Sequence, residues 1–279
     1  MLIIAHKTRR TKMAREDFLK YCGLKKDKSG KEMFLGSFSG IDGGDIDAEY
    51  WFMGMEWSDI SDINNDYSYV YDKWINVEEM PDHVDIKTNP GKWELENKLD
   101  ILYHKLMPES SGGKIIFEKD SNTLKLNLLP LPFSSDDAKN IWNKTRLTET
   151  TGFSSFNEYA GKESNNKKYA YSELKELYKD TVLPARKLLF KNLLRKSPQL
   201  KTIFCFGKAY KNKFLYALTD EFEVESIKPE KELSYSSVCV YNMNKSTGIK
   251  RILLCPFPYT PGNEFTDKDW QIICDLAKE

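Results

Sequence analysis

Apolar and polar positions along this chain fall into runs of two kinds. Tyr50-Trp51-Phe52-Met53 is a continuous apolar run stopped by Gly54, the pattern of a strand buried on both faces. Residues 202–206, ending at Gly207, and residues 238–242 and 250–255 predict further strands. Residues 114–118 and 123–129 predict two strands around the turn Asp120-Ser121-Asn122. Helical spacing covers 8–22, with Met13, Phe18, Leu19 and Cys22 on one side. It returns over 93–107 and over 172–196, where Pro184 interrupts or restarts the helix. A basic helix is expected after Gly207 to about residue 219. Thr266-Asp267-Lys268-Asp269 is a capping-box start for a last helix. Residues 30–44 are turn-rich, 58–72 form a polar loop, and 134–170 hold a Ser/Asn/Gly/Lys-rich insert expected to be mobile near Gly161–Lys168. Strands alternating with helices predict an α/β layered sheet.

Composition adds limits to this pattern. The 279 residues are 40% hydrophobic and 30% charged, with mean hydropathy −0.58, so a soluble globular protein is expected. No run of eighteen apolar residues predicts a membrane span, and the apolar stretch within residues 1–7 is too short for a secretory signal. Five cysteines, at 22, 205, 239, 255 and 274, are odd in number and widely spaced, without a Cys-x-x-Cys. That excludes a full disulfide framework, argues against a metal or iron–sulfur site, and predicts a cytoplasmic location. The net charge is zero but segregated: residues 1–31 carry +7, 32–100 carry −13, and 162–214 carry +10. Basic stretches flanking an acidic one suit a nucleic-acid surface with a carboxylate-bearing site between them; each run taken singly is also what a solvated helix face looks like.

Ligands of open α/β sheets bind beyond the carboxyl ends of the strands, and four strand ends here have unusual sequences. They are Gly54-Met55-Glu56-Trp57, Asn127-Leu128-Leu129-Pro130-Leu131-Pro132-Phe133, Phe206-Gly207-Lys208 and Cys255-Pro256-Phe257-Pro258-Tyr259. In this order they resemble the uracil-DNA glycosylase superfamily in divergent form. Gly54-Met55-Glu56-Trp57 is similar to its first motif, Gly-x-(Asp/Asn/Ala)-Pro, and most to the single-strand-selective branch, whose motif begins Gly-Met-Asn-Pro-Gly. Leu126-Asn127-Leu128-Leu129-Pro130-Leu131 is similar to its central strand, whose Asn reads the base. Cys255-Pro256-Phe257-Pro258 stands where the family has His-Pro-Ser-Pro, and 188–208 looks like its penultimate helix–strand unit. The resemblance covers roughly 48–279, leaving 1–47 as a basic helix and glycine-rich lead-in and the insert near 150–170 unmatched. Trp57, Cys255 and Phe257 depart from the family's Pro, His and Ser.

The resemblance implies a three-layer α/β/α sandwich with a mainly parallel central sheet. It also implies a monofunctional DNA glycosylase acting on a flipped, modified or damaged pyrimidine in DNA repair, with a hypermodified viral base and antiviral defence as one form. Glu56 would stabilise the cationic sugar, with Asp59 and Asp62 in reserve. Asn127 would pair with the base edge, and Tyr67, Tyr69 or Phe133 would stack it. The last-motif loop of Cys255, Pro256, Phe257 and Tyr259 would line one cleft with Glu56 and Asn127, and Lys208 and Lys211 would meet DNA. No lysine stands at a motif position for Schiff-base chemistry, and no cofactor or metal is expected. The rival expectation is a catalytically inactive nucleic-acid or nucleotide-binding module of the same fold, which the missing motif histidine favours. No Gly-x-Ser-x-Gly elbow or P-loop supports another hydrolase.

Overall fold

The computed structural model describes residues 25–26, 28–30, 32–35, 41–54, 74–75, 82–84, 94–108, 115–128, 183–219, 224–243, 251–260 and 263–279. In chain order its strands are β1 (Lys25–Lys26), β2 (Glu32–Leu35), β3 (Ile41–Asp45), β4 (Tyr50–Gly54), β5 (Trp74–Ile75), β6 (His83–Val84), β7 (Thr123–Asn127), β8 (Thr202–Phe206), β9 (Val224–Glu232), β10 (Ser237–Met243), β11 (Arg251–Cys255), β12 (Tyr259–Thr260) and β13 (Asn263–Glu264). The helices are α1 (Glu94–Leu106), α2 (Leu183–Lys196), α3 (Lys211–Leu218) and α4 (Asp267–Lys278). The expected helix over 8–22, the loop over 58–72 and the insert over 134–170 lie outside the described residues.

The chain divides into two compact units, both discontinuous in sequence. The first draws on residues 1–40, 56–79 and 129–189, and holds the small antiparallel sheet β1-β2-β5. The second draws on residues 41–55, 80–128 and 190–279, and holds the large sheet.

The large sheet has the order β6-β3-β7-β4-β8-β11-β10-β9. Its centre, β7-β4-β8-β11, is parallel throughout. Both wings are antiparallel: β3 and β6 beyond β7, β10 and β9 beyond β11. The sheet is therefore mixed rather than mainly parallel, and the α/β class holds. The wings come from segments whose patterns hide them. β3 contains Gly43 and Gly44 and reads as a turn, yet Gly44 is needed there: its φ is +106°, and a Cβ on it would lie 2.1 Å from the Thr123 carbonyl oxygen. β9 contains Pro229, which lacks an N–H, and a strand at the sheet's edge tolerates that. Residues 115–122 form turns and not the expected strand, with Phe117, Asp120 and Asn122 at positive φ. Ile116 and Phe117 are apolar there because they fill the core, and the Phe117 N–H donates to Thr123 Oγ1 at 2.9 Å.

The central strands are buried on both faces, as their unbroken apolar runs require. Tyr50, Phe52, Phe204, Phe206, Leu253 and Cys255 share one face with Leu99, Leu102 and Tyr103 of α1 and Trp270, Ile273 and Cys274 of α4. Phe52 stacks on Phe204 at 5.0 Å between centroids and meets Phe117 edge-on at 5.5 Å. Trp51, Met53, Ile203, Cys205, Ile252 and Leu254 alternate to the opposite face and are as fully buried. The last helix carries its capping box: Asp269 N–H donates to Thr266 Oγ1, and Thr266 N–H donates to the Asp269 carboxylate.

Candidate functional site at the carboxyl edge

The parallel strands bring four of the singled-out sequence positions to one edge. In the parallel set β4 is followed by β7 on one side, and β8 by β11 on the other, so the strand order reverses between β4 and β8. Such a switch point opens a crevice beyond the carboxyl ends of the two strands, where ligands of open α/β sheets bind. Gly54 ends β4, Asn127 ends β7, Phe206 ends β8 and Cys255 ends β11.

Gly54 and Asn127 are register partners, and the Leu128 N–H donates to the Gly54 carbonyl at 2.9 Å. Asn127 is 4% exposed, and its side-chain oxygen lies where a Cβ on Gly54 would be only 3.1 Å away. The missing side chain at 54 thus makes room for the Asn127 carboxamide. Beyond β8, Gly207 takes φ +119°, a left-handed conformation that suits glycine, and its N–H donates to the Cys255 carbonyl at 2.9 Å. The chain then enters a single 3-10 turn, Lys208–Tyr210, and continues as α3.

Cys255 itself faces the hydrophobic core and is completely buried. Burial, with the neighbouring Cys239 next, pushes its thiol far above the ordinary range, so it stays a neutral SH. Cys255 therefore does not line an open cleft; its backbone carbonyl, not its side chain, faces the edge turn. Pro256 is buried, Phe257 is half-buried with its carbonyl accepting from the Tyr235 hydroxyl, and Tyr259 begins the short β12–β13 hairpin.

Lys208 and Lys211 are engaged within the protein. The Lys208 ammonium donates to Glu230 at 2.6 Å and to the Ser237 hydroxyl. Glu230 also accepts from Ser237 Oγ at 2.6 Å and from the Cys239 thiol at 3.0 Å. These hydrogen bonds, that from Cys239 foremost, hold the Glu230 carboxyl down at about 2. Burial and Glu230 in turn push the Cys239 thiol up to about 11. The Lys211 ammonium sits 5.3 Å from the centre of the Tyr241 ring, and its hydrogen bond with Tyr241 raises its pKa. Lys213, which the sequence pattern does not single out, is exposed on α3 with its ammonium 5.1 Å from the Tyr210 ring. Glu56, Asp59, Tyr67, Tyr69 and Phe133 lie outside the described residues.

Neither described histidine serves this edge. His83 Nδ1 pairs with the acceptor Asp45 Oδ1, 2.8 Å away, at the opposite end of the sheet, and His104 pairs with Asp100 at 3.3 Å on α1. A cavity of about 500 Å³ at that amino edge is lined by Asp45, Asp47, Asp82, Asp120, His83 and Lys119 among others. Its surplus of carboxylates over cations makes it a poor place for a phosphate. Among the described residues no three His, Cys, Asp or Glu are grouped to hold a metal, and no helix is long and apolar enough to cross a membrane.

Comparison of the chain with protein-family models, curated proteins and solved structures finds no match.

Proposed function

We propose that the protein is a DNA glycosylase of the uracil-DNA glycosylase type, built as a three-layer α/β/α sandwich, that hydrolyses the N-glycosidic bond of a flipped, modified pyrimidine. The observation that carries this reading is the pairing of Gly54 with Asn127 at the carboxyl ends of adjacent parallel strands. It gives a buried carboxamide a fixed position beside a switch point, and a carboxamide offers the donor and acceptor that a pyrimidine edge needs. In sequence, Glu56 follows Gly54 by two positions and supplies the carboxylate that a cationic sugar requires. A carboxylate matters most when that charge develops, so its contribution is realised in the transition state.

The test is alkali cleavage of DNA bearing a panel of modified pyrimidines, hypermodified cytosines included. Glu56→Gln is expected to lower base release on the order of a hundredfold or more while DNA binding persists. Base release undiminished in that variant removes Glu56 from the mechanism. The buried, neutral Cys255 at the place of the motif histidine favours a second reading, a nucleic-acid-binding module without catalysis. Tight DNA binding with no base released from any member of the panel selects that reading.

A further inference from the structure

The segment after β8 is mounted on the sheet by its lysines and by its apolar side. Lys208 is clamped to Glu230 and Ser237 on the antiparallel wing, Lys211 is held over Tyr241, and Phe214, Ala217 and Leu218 of α3 are buried. The exposed residues of this segment are Ala209, Tyr210, Asn212, Lys213 and Tyr216, and of these Tyr210, Lys213 and Tyr216 are three residues apart in succession and so neighbours along one side. Tyr210 is 44% and Tyr216 39% exposed, two of the four large hydrophobic side chains exposed among the described residues. No acidic residue occurs from Lys208 to Leu218. The Lys213 ammonium lies within cation–π range of Tyr210, so charge and ring are presented together. The segment begins at Gly207, directly beside the β4–β8 switch point.

We propose that Tyr210, Lys213 and Tyr216 form a ledge on which an unpaired nucleic-acid strand rests, its bases against the two tyrosine rings and its phosphate near Lys213. The chemistry selects a single strand over a duplex. A duplex keeps its base faces stacked inside and offers only phosphates to the lysine, whereas an unpaired strand offers a ring face for each tyrosine as well. The proposal rests on the nucleic-acid half of the function above and not on its catalysis.

The experiment is fluorescence anisotropy of the full chain with a labelled oligothymidylate, and with a duplex of equal length, across a sodium chloride series. Tyr210→Ala/Tyr216→Ala is expected to weaken single-strand binding about tenfold or more, with the salt slope unchanged. Tyr210→Phe/Tyr216→Phe, which keeps the rings, is expected to bind like the parent. Lys213→Gln is expected to reduce the slope of log affinity against log salt by about 0.7. Thermal melts of each variant check that the fold is kept; if the double alanine variant melts early, the single Tyr210→Ala replaces it. Unchanged single-strand affinity in the alanine variant, equal losses in the alanine and phenylalanine variants, or no binding of either oligonucleotide by the parent overturns the ledge. Base release measured on the same preparations separates the two proposals. Ledge-dependent binding without base release sinks the glycosylase and keeps the ledge; base release with ledge-independent binding does the reverse.

Discussion

Gly54 and Asn127 show how one absent side chain sets the place of another. With Oδ1 only 3.1 Å from the position of a Cβ on Gly54, alanine there displaces the carboxamide by a few tenths of an ångström without backbone strain, because no positive φ is involved. Gly54→Ala is expected to melt within a few degrees of the parent and to lose base discrimination, since a misaligned buried polar group costs about 1–3 kcal/mol. Melting curves beside competition between pyrimidines in the cleavage assay check both halves. Unaltered discrimination would show that the Asn127 position does not select the base. Gly44 carries a different demand. Its φ of +106° and the 2.1 Å approach to Thr123 make Gly44→Ala destabilising by about 3 kcal/mol or more, read as faster amide exchange over Ile41–Asp45.

At the scale of elements, α4 is the clearest case of local sequence and tertiary packing agreeing. Its capping box satisfies N-terminal N–H groups, and Asp269 also accepts from the Ser234 N–H at 2.8 Å and hydroxyl at 2.7 Å. Burial alone would raise the Asp269 pKa, but the bonds from Thr266 and Ser234 outweigh it and hold the carboxyl low. Thr266→Ala is expected to cost about 1 kcal/mol, a fall of about 2–4 °C in Tm by calorimetry. Asp269→Ala should cost more, because it frees donors on two segments. Pattern made these helices and the central strands legible: β4, β8 and β11 are apolar runs buried on both faces. It missed β3 and β9, whose residues look like loop because one accommodates a close backbone approach with glycine and the other lies at an edge that accepts proline.

At the scale of the molecule, two carboxylates with depressed pKa values tie elements together, Glu230 across β9, β10 and the segment after β8, and Asp269 across α4 and the turn before β10. The unfolded chain takes up these protons at a higher pH than the folded one, so stability rises with pH through their window. For Glu230 that window runs from its ordinary value of 4.5 down to about 2: its contribution is complete above the first and lost as pH falls towards the second. Glu230→Gln is expected to flatten acid unfolding over that range, followed by circular dichroism; an unaltered acid limb would mean the clamp adds nothing to stability. The four described cysteines are free and buried, so Ellman's reagent should reach Cys205, Cys239, Cys255 and Cys274 only as the fold opens.

The sequence by itself determined the α/β class, the central strands and their glycine-marked ends, and the capped last helix, because each of these follows from residues near one another in the chain. Only the tertiary structure decided which strands are neighbours, since hydrogen-bonded pairing joins segments as far apart as Gly54 and Asn127 through backbone groups that every residue carries. It also decided which lysines face outward. Lys208, Lys211 and Lys213 are alike in sequence, and what separates them is a glutamate on β9 and a tyrosine on β10, brought beside the first two by the fold. Burial decided Cys255 in the same way: a thiol at a strand end is reactive or inert according to whether the sheet's face there is covered by helices, and here it is.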